Sequence, residues 1–98
     1  MTQSSRDVYK NKLISLIKRN VNEIIFKEVD NPNLESVIIK HIEFNGDNTI
    51  AYIYVETYKN DIKKERLISE LNKASGFIYM HLKIALHIKR IPKLVFRY

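Results

Sequence analysis

Cysteine is absent from the 98 residues, and glycine and proline occur only twice each. Without thiols the chain cannot form disulfides, a thiolate zinc site or a cysteine nucleophile, and its composition is compatible with the cytosol. The glycines Gly46 and Gly76 are too few for a glycine-rich phosphate loop. No apolar run approaches the ~18 residues of a membrane helix, and the polar start has no signal-peptide core. We therefore expect a soluble, intracellular protein.

Carboxylate side chains are also missing from one part of the chain. Residues 1–70 carry 11 basic and 11 acidic side chains, whereas residues 71–98 contain no aspartate or glutamate. The net charge of +6 therefore comes from the last part alone, from Lys73, Lys83, Lys89, Arg90, Lys93 and Arg97. Such an asymmetry predicts a polyanionic partner, with nucleic acid favoured over a membrane surface.

The first third of the chain has the pattern of one long helix. Apolar residues recur every three or four positions through Leu13–Ile25, which predicts a helix from about Asp7 to Lys27. Ser4 and Ser5 are candidate caps of its first turn. The helix should stop before Pro32, because the residue before a proline avoids helical dihedrals.

A hairpin is predicted over Ser36–Thr57, where β-branched and aromatic residues flank the turn sequence 45–48. In its second strand Tyr52 and Tyr54 share the outer face, where sheet packing or a partner surface is a better explanation than base stacking. The apolar positions of the first strand change parity at residues 40–41. A bulge there, or a strand buried on both faces, would explain the change equally well.

The second half predicts two helices and a strand. A helix capped by Asn60 or Asp61 should reach about Ala74, and Gly76 predicts a kink or a break, with Ser75 as a candidate cap of the next helix.

That next helix is expected from Phe77 to about Ile88, with His81 in its apolar arc as a core histidine. Its opposite face would present Tyr79, Met80, Lys83, His87 and Arg90. Lys93–Tyr98 alternates as a final strand.

These elements predict an α+β protein in the order helix, strand, strand, helix, helix, strand. The helices should cover one face of a three-stranded mixed sheet, because a last strand that returns after two helices can run parallel to its neighbour. With no linker or repeat in the sequence, we expect a single domain over residues 1–98, acting as a monomer.

Catalytic and metal-binding motifs are not recognisable. The three histidines have neither a helical i, i+4 spacing nor a zinc-ligand spacing, and no residue has the setting of a nucleophile, so we expect no metal and no cofactor. The basic helix face is more informative, because it combines cations for phosphates with a tyrosine for stacking, which suits RNA. A merely solvated basic face is the alternative.

Several segments resemble the signature of the bacterial ribosome-binding factor A family. They are the run Leu71–Ile78, with Ala-Ser-Gly-Phe-Ile, and the run Ile91–Phe96, with Pro-x-Leu-x-Phe. The turn Asp30–Leu34 and the strand Ala51–Val55 are similar to further parts of that family. The resemblance extends over nearly the whole chain.

This resemblance implies a KH-like fold of the second type, in which an Ala-x-Gly kink, here Ala74–Gly76, replaces the usual Gly-x-x-Gly loop. It also implies a cytoplasmic, non-enzymatic factor that binds the small (30S) ribosomal subunit and its RNA. Such a factor assists late maturation, including processing of the RNA 5′ end, and has a role in cold adaptation. On this basis the expected RNA-binding residues are Arg6, Lys10, Lys73, Ser75, Gly76, Tyr79, Lys83, His87, Lys89 and Arg90. The alternatives are a small basic RNA-cleaving enzyme, another kind of RNA-binding module, and a protein-interaction module that uses the outer sheet face.

Overall fold

The order of the secondary-structure elements is the predicted one. The structure, a computed structural model, describes residues 5–59 and 62–98. Its elements are helix α1 (Ser5–Lys27), a 3-10 turn (Pro32–Leu34), strands β1 (Val37–Phe44) and β2 (Ile50–Thr57), helices α2 (Lys64–Lys73) and α3 (Ser75–Leu86), and strand β3 (Lys93–Arg97). Among these helices none has the length and apolarity needed to cross a membrane.

The three strands form one mixed sheet in the order β1-β2-β3. β1 and β2 are antiparallel, whereas β2 and β3 are parallel, so that Ile53 of β2 pairs with Ile42 on one side and Phe96 on the other. The connection from β2 to β3 passes through both α2 and α3, which is the kind of crossover that a parallel pair requires. The predicted mixed sheet is confirmed.

The parity change in β1 is a bulge. The pairing register of β1 with β2 shifts between Ile39 and His41. As a result Ile39 and Ile42 are both buried, while Lys40 and His41 are exposed. The bulge is therefore correct, and β1 is not a strand buried on both faces.

The helices cover one face of the sheet and enclose the core. α1 packs on β1 and on α3, while α2 and α3 pack on β3. Burying this apolar surface is the main favourable contribution to folding. The fully buried side chains include Ile17, Val21, Leu34, Ile53, Val55, Leu67, Leu71, Ile78, Leu82 and Phe96.

None of the described helices covers the outer face of the sheet, and the tyrosine rings on that face pack on neighbouring side chains. The rings of His41 and Tyr54 stack with their centroids 4.4 Å apart. The guanidinium of Arg97 lies 4.0 Å from the centroid of the Tyr52 ring. These contacts agree with sheet packing, because each ring already has a partner on one of its faces.

The break between the second and third helices lies two residues before the glycine at which it is predicted. α2 ends at Lys73, and Ala74 separates it from α3, in which Gly76 is an ordinary helical residue. A β-carbon added to Gly76 would meet nothing within 4 Å, and its φ is not positive. The break therefore does not depend on glycine, and Ser75 is the first residue of α3 rather than its cap.

Two other predictions about helix ends differ from the structure. Ser5 is already helical, and α2 begins after Lys63, which makes no capping hydrogen bond with its side chain. The other candidate caps, Ser4, Asn60 and Asp61, lie outside the described residues.

The third helix is shorter than predicted. It ends at Leu86, because His87 adopts a left-handed conformation with φ 53° and its N–H donates to the carbonyl of Lys83. His87 and Arg90 are consequently not on the face of α3 that carries Lys83, which corrects the predicted continuous helical face. His81 is half-buried rather than in the core, with its ring 4.3 Å from that of Phe77.

Candidate nucleic-acid interface

The break between α2 and α3 is held against the edge of the sheet by Asn72. The N–H of Phe96 donates to Oδ1 of Asn72 at 2.9 Å, and Nδ2 of Asn72 donates to the Phe96 carbonyl at 3.2 Å. The amide thus pairs with the outer edge of β3 much as another strand would. On the other side, the hydroxyl of Ser75 donates to the carbonyl of Asn72 at 2.8 Å. Lys73, Ser75 and Gly76 are positioned by these bonds.

Glu70, in the last turns of α2 before the break, links that helix to the turn after α1. Its carboxylate accepts hydrogen bonds from the side-chain amides of Asn31 at 3.1 Å and Asn33 at 3.2 Å, and from Arg66 at 3.4 Å. Partial burial raises the pKa of Glu70, but these three donors outweigh it and hold that pKa below its usual 4.5. The last acidic side chain in the sequence therefore holds α2 against the turn after α1.

The exposed side of α3 carries apolar side chains as well as a cation. Phe77, Met80 and Ile84 are 45%, 65% and 68% exposed, and Lys83 is exposed beside them. The spacing i, i+3, i+7 places the three apolar residues along one stripe. The sequence predicts exposure for Met80 but not for Phe77 or Ile84.

A cleft lies where the start of α1, the hairpin turn and the loop after α3 meet. We call it the basic cleft; its volume is about 940 Å³. Its floor consists of the buried or half-buried residues Leu13, Phe44, Ile91 and Pro92, and its far wall is the hairpin turn 45–49. Its rim consists of Tyr9, Lys10, Tyr79, Lys89 and Arg90.

The basic cleft brings together residues that are far apart in the sequence. Lys10 is half-buried with its ammonium 5.6 Å from the centroid of the Phe44 ring, so it is held over the floor. Tyr79 is half-buried and packs against the core, which fixes its ring. Lys89 and Arg90 are exposed on the loop between α3 and β3.

The ten expected RNA-binding residues fall into separate groups. Four of them share the basic cleft: Lys10, Tyr79, Lys89 and Arg90. Three lie at the α2–α3 break, Lys73, Ser75 and Gly76, and Gly76 is only three residues before Tyr79 on α3. Lys83 and His87 are exposed near the end of α3 without lining the cleft, and Arg6 is in the first turn of α1.

The far wall of the basic cleft is a tightly bonded turn. Nδ2 of Asn45 donates to Asp47 at 2.7 Å and to the Thr49 hydroxyl at 3.0 Å, and that hydroxyl donates to Asp47 at 2.6 Å. Hydrogen bonds from the Thr49 hydroxyl and backbone N–H are the largest effects on Asp47 and lower its pKa below the usual 3.8. Asp47 is therefore an anion near neutral pH, and it is the one carboxylate among the described residues that line the cleft.

The described residues show no group with the chemistry of a metal site. Among them, no three histidine or carboxylate side chains converge closely enough to hold an ion. The histidine rings contact different partners: His41 lies on Tyr54 and 3.4 Å from Glu43, and His81 lies on Phe77. None of the histidines lines the basic cleft.

Sequence reasoning missed Tyr9, the hairpin turn and Asn72 as parts of this surface. Tyr9 directly precedes Lys10, but the periodicity of α1 assigns it only to solvent. The sequence identifies residues 45–48 only as a turn between two strands. The turn comes close to the loop between α3 and β3 through a tertiary contact, in which the Lys93 N–H donates to the Thr49 carbonyl at 2.9 Å. Asn72 lies within the family-like run Leu71–Ile78, but the sequence does not predict that its side chain bonds to Phe96.

The sequence matches a known protein family over most of its length. Residues 9–98 match the family model described as Ribosome-binding factor A. The chain belongs to the ribosome-binding factor A family. A relative from Streptococcus equi subsp. zooepidemicus with that name is 38% identical over 82 residues, which are 82% of this chain and 70% of the relative.

Solved structures of the ribosome-binding factor A family share the fold. The crystal structure of the Thermus thermophilus protein superimposes with a TM-score of 0.76 at 23% identity, covering 90% of this chain and 93% of that one. A homology model of the Thermus thermophilus protein, fitted into a cryo-EM map of a 30S complex, superimposes with a TM-score of 0.70 at 22% identity. It covers 87% of this chain and 89% of that one. The α+β architecture, KH-like with a mixed sheet, is therefore the fold of this family.

Proposed function

We propose that this protein is a ribosome assembly factor that binds the small (30S) ribosomal subunit through its RNA. Membership of the ribosome-binding factor A family supports the proposal, as does the 30S complex of the Thermus thermophilus relative. The observation that carries it to particular residues is the basic cleft, where three cations and two tyrosines surround an apolar floor. Cations neutralise phosphates and aromatic rings stack on bases, so this combination suits RNA.

The binding energy comes mainly from phosphate neutralisation by the cations of residues 71–98. All six cations of residues 71–98 lie on α2, α3, β3 or the loop between α3 and β3, with no carboxylate side chain in that part of the sequence. The α2–α3 break and the basic cleft are separate contact points joined by α3. Contact at both points ties recognition to the shape of the RNA, because phosphate contacts alone carry no sequence information.

The protein acts by binding and not by cutting RNA. It assists late maturation by holding precursor RNA of the small subunit in a form that enzymes can process at the 5′ end. It does so in the cytoplasm, as a single-domain monomer. Acid–base cleavage needs a base and an acid within reach of the same ribose or phosphate. No histidine, the side chain that most often fills these roles, is among the described residues that line the cleft, and the carboxylate of Asp47 is engaged within the turn.

Charge reversal on this surface tests the proposal. We expect the double variant Lys83→Glu, Arg90→Glu to lose co-sedimentation with small subunits while its circular dichroism spectrum stays that of the parent. The matched control is Lys18→Glu, Arg19→Glu, which makes the same charge change at exposed positions of α1 and should still co-sediment. Equal binding by both variants would contradict the proposed surface.

The non-enzymatic part is tested separately. Precursor RNA incubated with the purified protein should remain intact. Cleavage that disappears in a His87→Ala or His41→Ala variant would establish the RNA-cleaving alternative.

A further inference from the structure

The basic cleft has the size and the lining of a site for a phosphorylated aromatic ligand. Its volume of about 940 Å³ is at the upper end of the range of about 300–1,000 Å³ for ligand clefts. We propose that the basic cleft receives an unpaired nucleotide of RNA, with its base beside Tyr79 and its phosphate at Lys89 and Arg90. This inference rests on the proposed function and adds that the bound RNA is single-stranded at the cleft.

Tyr79 provides a fixed surface for the base. Its ring packs against the core on one side and lines the cleft on the other, so stacking would cost little side-chain entropy. Tyr9 is 61% exposed, also lines the cleft and supplies a second ring. The apolar floor, with Leu13 and Ile91, buries the remaining surface of a base.

The backbone that carries two cations of the cleft is held in place before any ligand binds. The loop that carries Lys89 and Arg90 is closed at one end by the left-handed His87. Its other end is held by the Lys93 N–H, which donates to the Thr49 carbonyl of the hairpin turn at 2.9 Å. A short loop fixed at both ends loses little backbone freedom on binding.

The hairpin turn determines which way the nucleotide faces. Asp47 is an anion in this turn and repels a phosphate, so the phosphate belongs at the cations Lys89 and Arg90. Asn48 is exposed in a left-handed conformation with φ 60°, and its side chain makes no hydrogen bond among the described residues. An amide in this position can bond to the edge of a base.

The geometry favours single-stranded RNA over both a duplex and a free nucleotide. In a duplex both faces of a base are stacked and its edge is paired, so it cannot reach Tyr79. A free nucleotide in the cleft would not reach Lys73 and Lys83, which are exposed outside the cleft. A continuing strand passes from the cleft along α3 and meets them.

Binding of a fluorescein-labelled uridine hexanucleotide, followed by anisotropy, tests the role of the ring. Tyr79→Leu should bind roughly tenfold more weakly, because base–aromatic stacking is lost. Tyr79→Phe restores the ring and should recover the lost affinity. Tyr58→Leu is the matched control, since Tyr58 is 67% exposed and does not line the cleft. Equal weakening by Tyr79→Leu and Tyr58→Leu would overturn the proposal.

The salt dependence of the same binding tests the phosphate contacts. For Lys89→Gln, Arg90→Gln we expect the slope of log K against log salt to become shallower by about 1.4, from two phosphate contacts on a single strand. Lys18→Gln, Arg19→Gln removes the same charge from α1 and should keep the parental slope. If both pairs change the slope equally, the cleft makes no localised phosphate contact and the proposal fails.

Two competitors and one parallel measurement separate the remaining outcomes. A ten-base-pair RNA duplex and AMP should each displace the hexanucleotide poorly; effective displacement by either would overturn the proposal in favour of a duplex or a free-nucleotide site. Co-sedimentation of the parent with small subunits is measured in parallel. If the parent co-sediments while Tyr79→Leu leaves hexanucleotide binding unchanged, this inference falls and the proposed function stands. If the parent does not co-sediment, the proposed function falls.

Discussion

The side-chain amide of Asn72 is expected to contribute measurably to stability, because it pairs with both backbone groups of Phe96. Those two bonds, at 2.9 and 3.2 Å, join the end of α2 to the outer edge of β3. A typical bond contributes about 0.5–1.5 kcal/mol net, so two contribute about 1–3 kcal/mol. Alanine recovers roughly 0.5 kcal/mol of helix propensity at this position. Asn72→Ala should therefore destabilise the protein by about 1.5 kcal/mol.

A thermal melt measures this effect directly. For a chain of this size about 1.5 kcal/mol corresponds to a Tm lower by roughly 6–12 °C. The matched control is Asn20→Ala, which removes a solvent-exposed hydrogen bond of 2.8 Å from the half-buried Asn20 side chain to the Leu16 carbonyl within α1. That bond is local, so the control should melt within about 3 °C of the parent.

Amide hydrogen exchange gives an independent measure of the same contact. The Phe96 N–H donates to the Asn72 side chain, so it should exchange faster in Asn72→Ala than in the parent. If the two alanine variants melt together and Phe96 exchange is unchanged, the hydrogen bonds between Asn72 and Phe96 do not stabilise the fold.

Two further predictions concern the same region. Gly76→Ala should raise the free energy of unfolding by up to about 1 kcal/mol, because Gly76 is helical and its added methyl group meets open space; a lower Tm would show that the break needs glycine. Glu70 has a folded-state pKa below its usual 4.5, where partial burial raises the value but the donors Asn31, Asn33 and Arg66 more than compensate. A depressed pKa stabilises the fold above about pH 4.5, and that contribution is lost as pH falls through the folded-state value. Melts at about pH 6 and about pH 3 should therefore show a larger loss of Tm in the parent than in Glu70→Gln, and equal losses would contradict this linkage.

Most of the elements could be predicted because their signals are local. The apolar period of α1 and the alternation of β2 come from residues a few positions apart, and both elements lie where those patterns place them. The bulge at residues 40–41 was one of two explanations, and only the register of β1 against β2 decided between them. The position of the helix break was wrong by two residues, because propensity singled out Gly76 while the Asn72 contacts with β3 fix the break at Ala74.

The candidate site was predicted as a helical face, and the structure gives it a different form. Tyr79 and Lys83 are on α3 as expected, whereas His87 ends that helix and Arg90 follows it on a loop. Arg90 therefore meets Tyr79 and Lys10 across a cleft instead of along a helix. Helical stepping beyond residue 86 could not reveal this, because it assumes the conformation that His87 interrupts.

The sequence by itself determined the order of the elements, the placement of all the excess positive charge after Glu70, and membership of the ribosome-binding factor A family. These features follow from composition, periodicity and short motifs, which do not require distant residues to meet. Only the tertiary structure decided where the break falls and which cations share a cleft. The physical reason is that the contact of β3 with the hairpin turn and the packing of α1 on α3 join segments separated by tens of residues. No local sequence pattern predicts these tertiary contacts, and the basic cleft forms only because they exist.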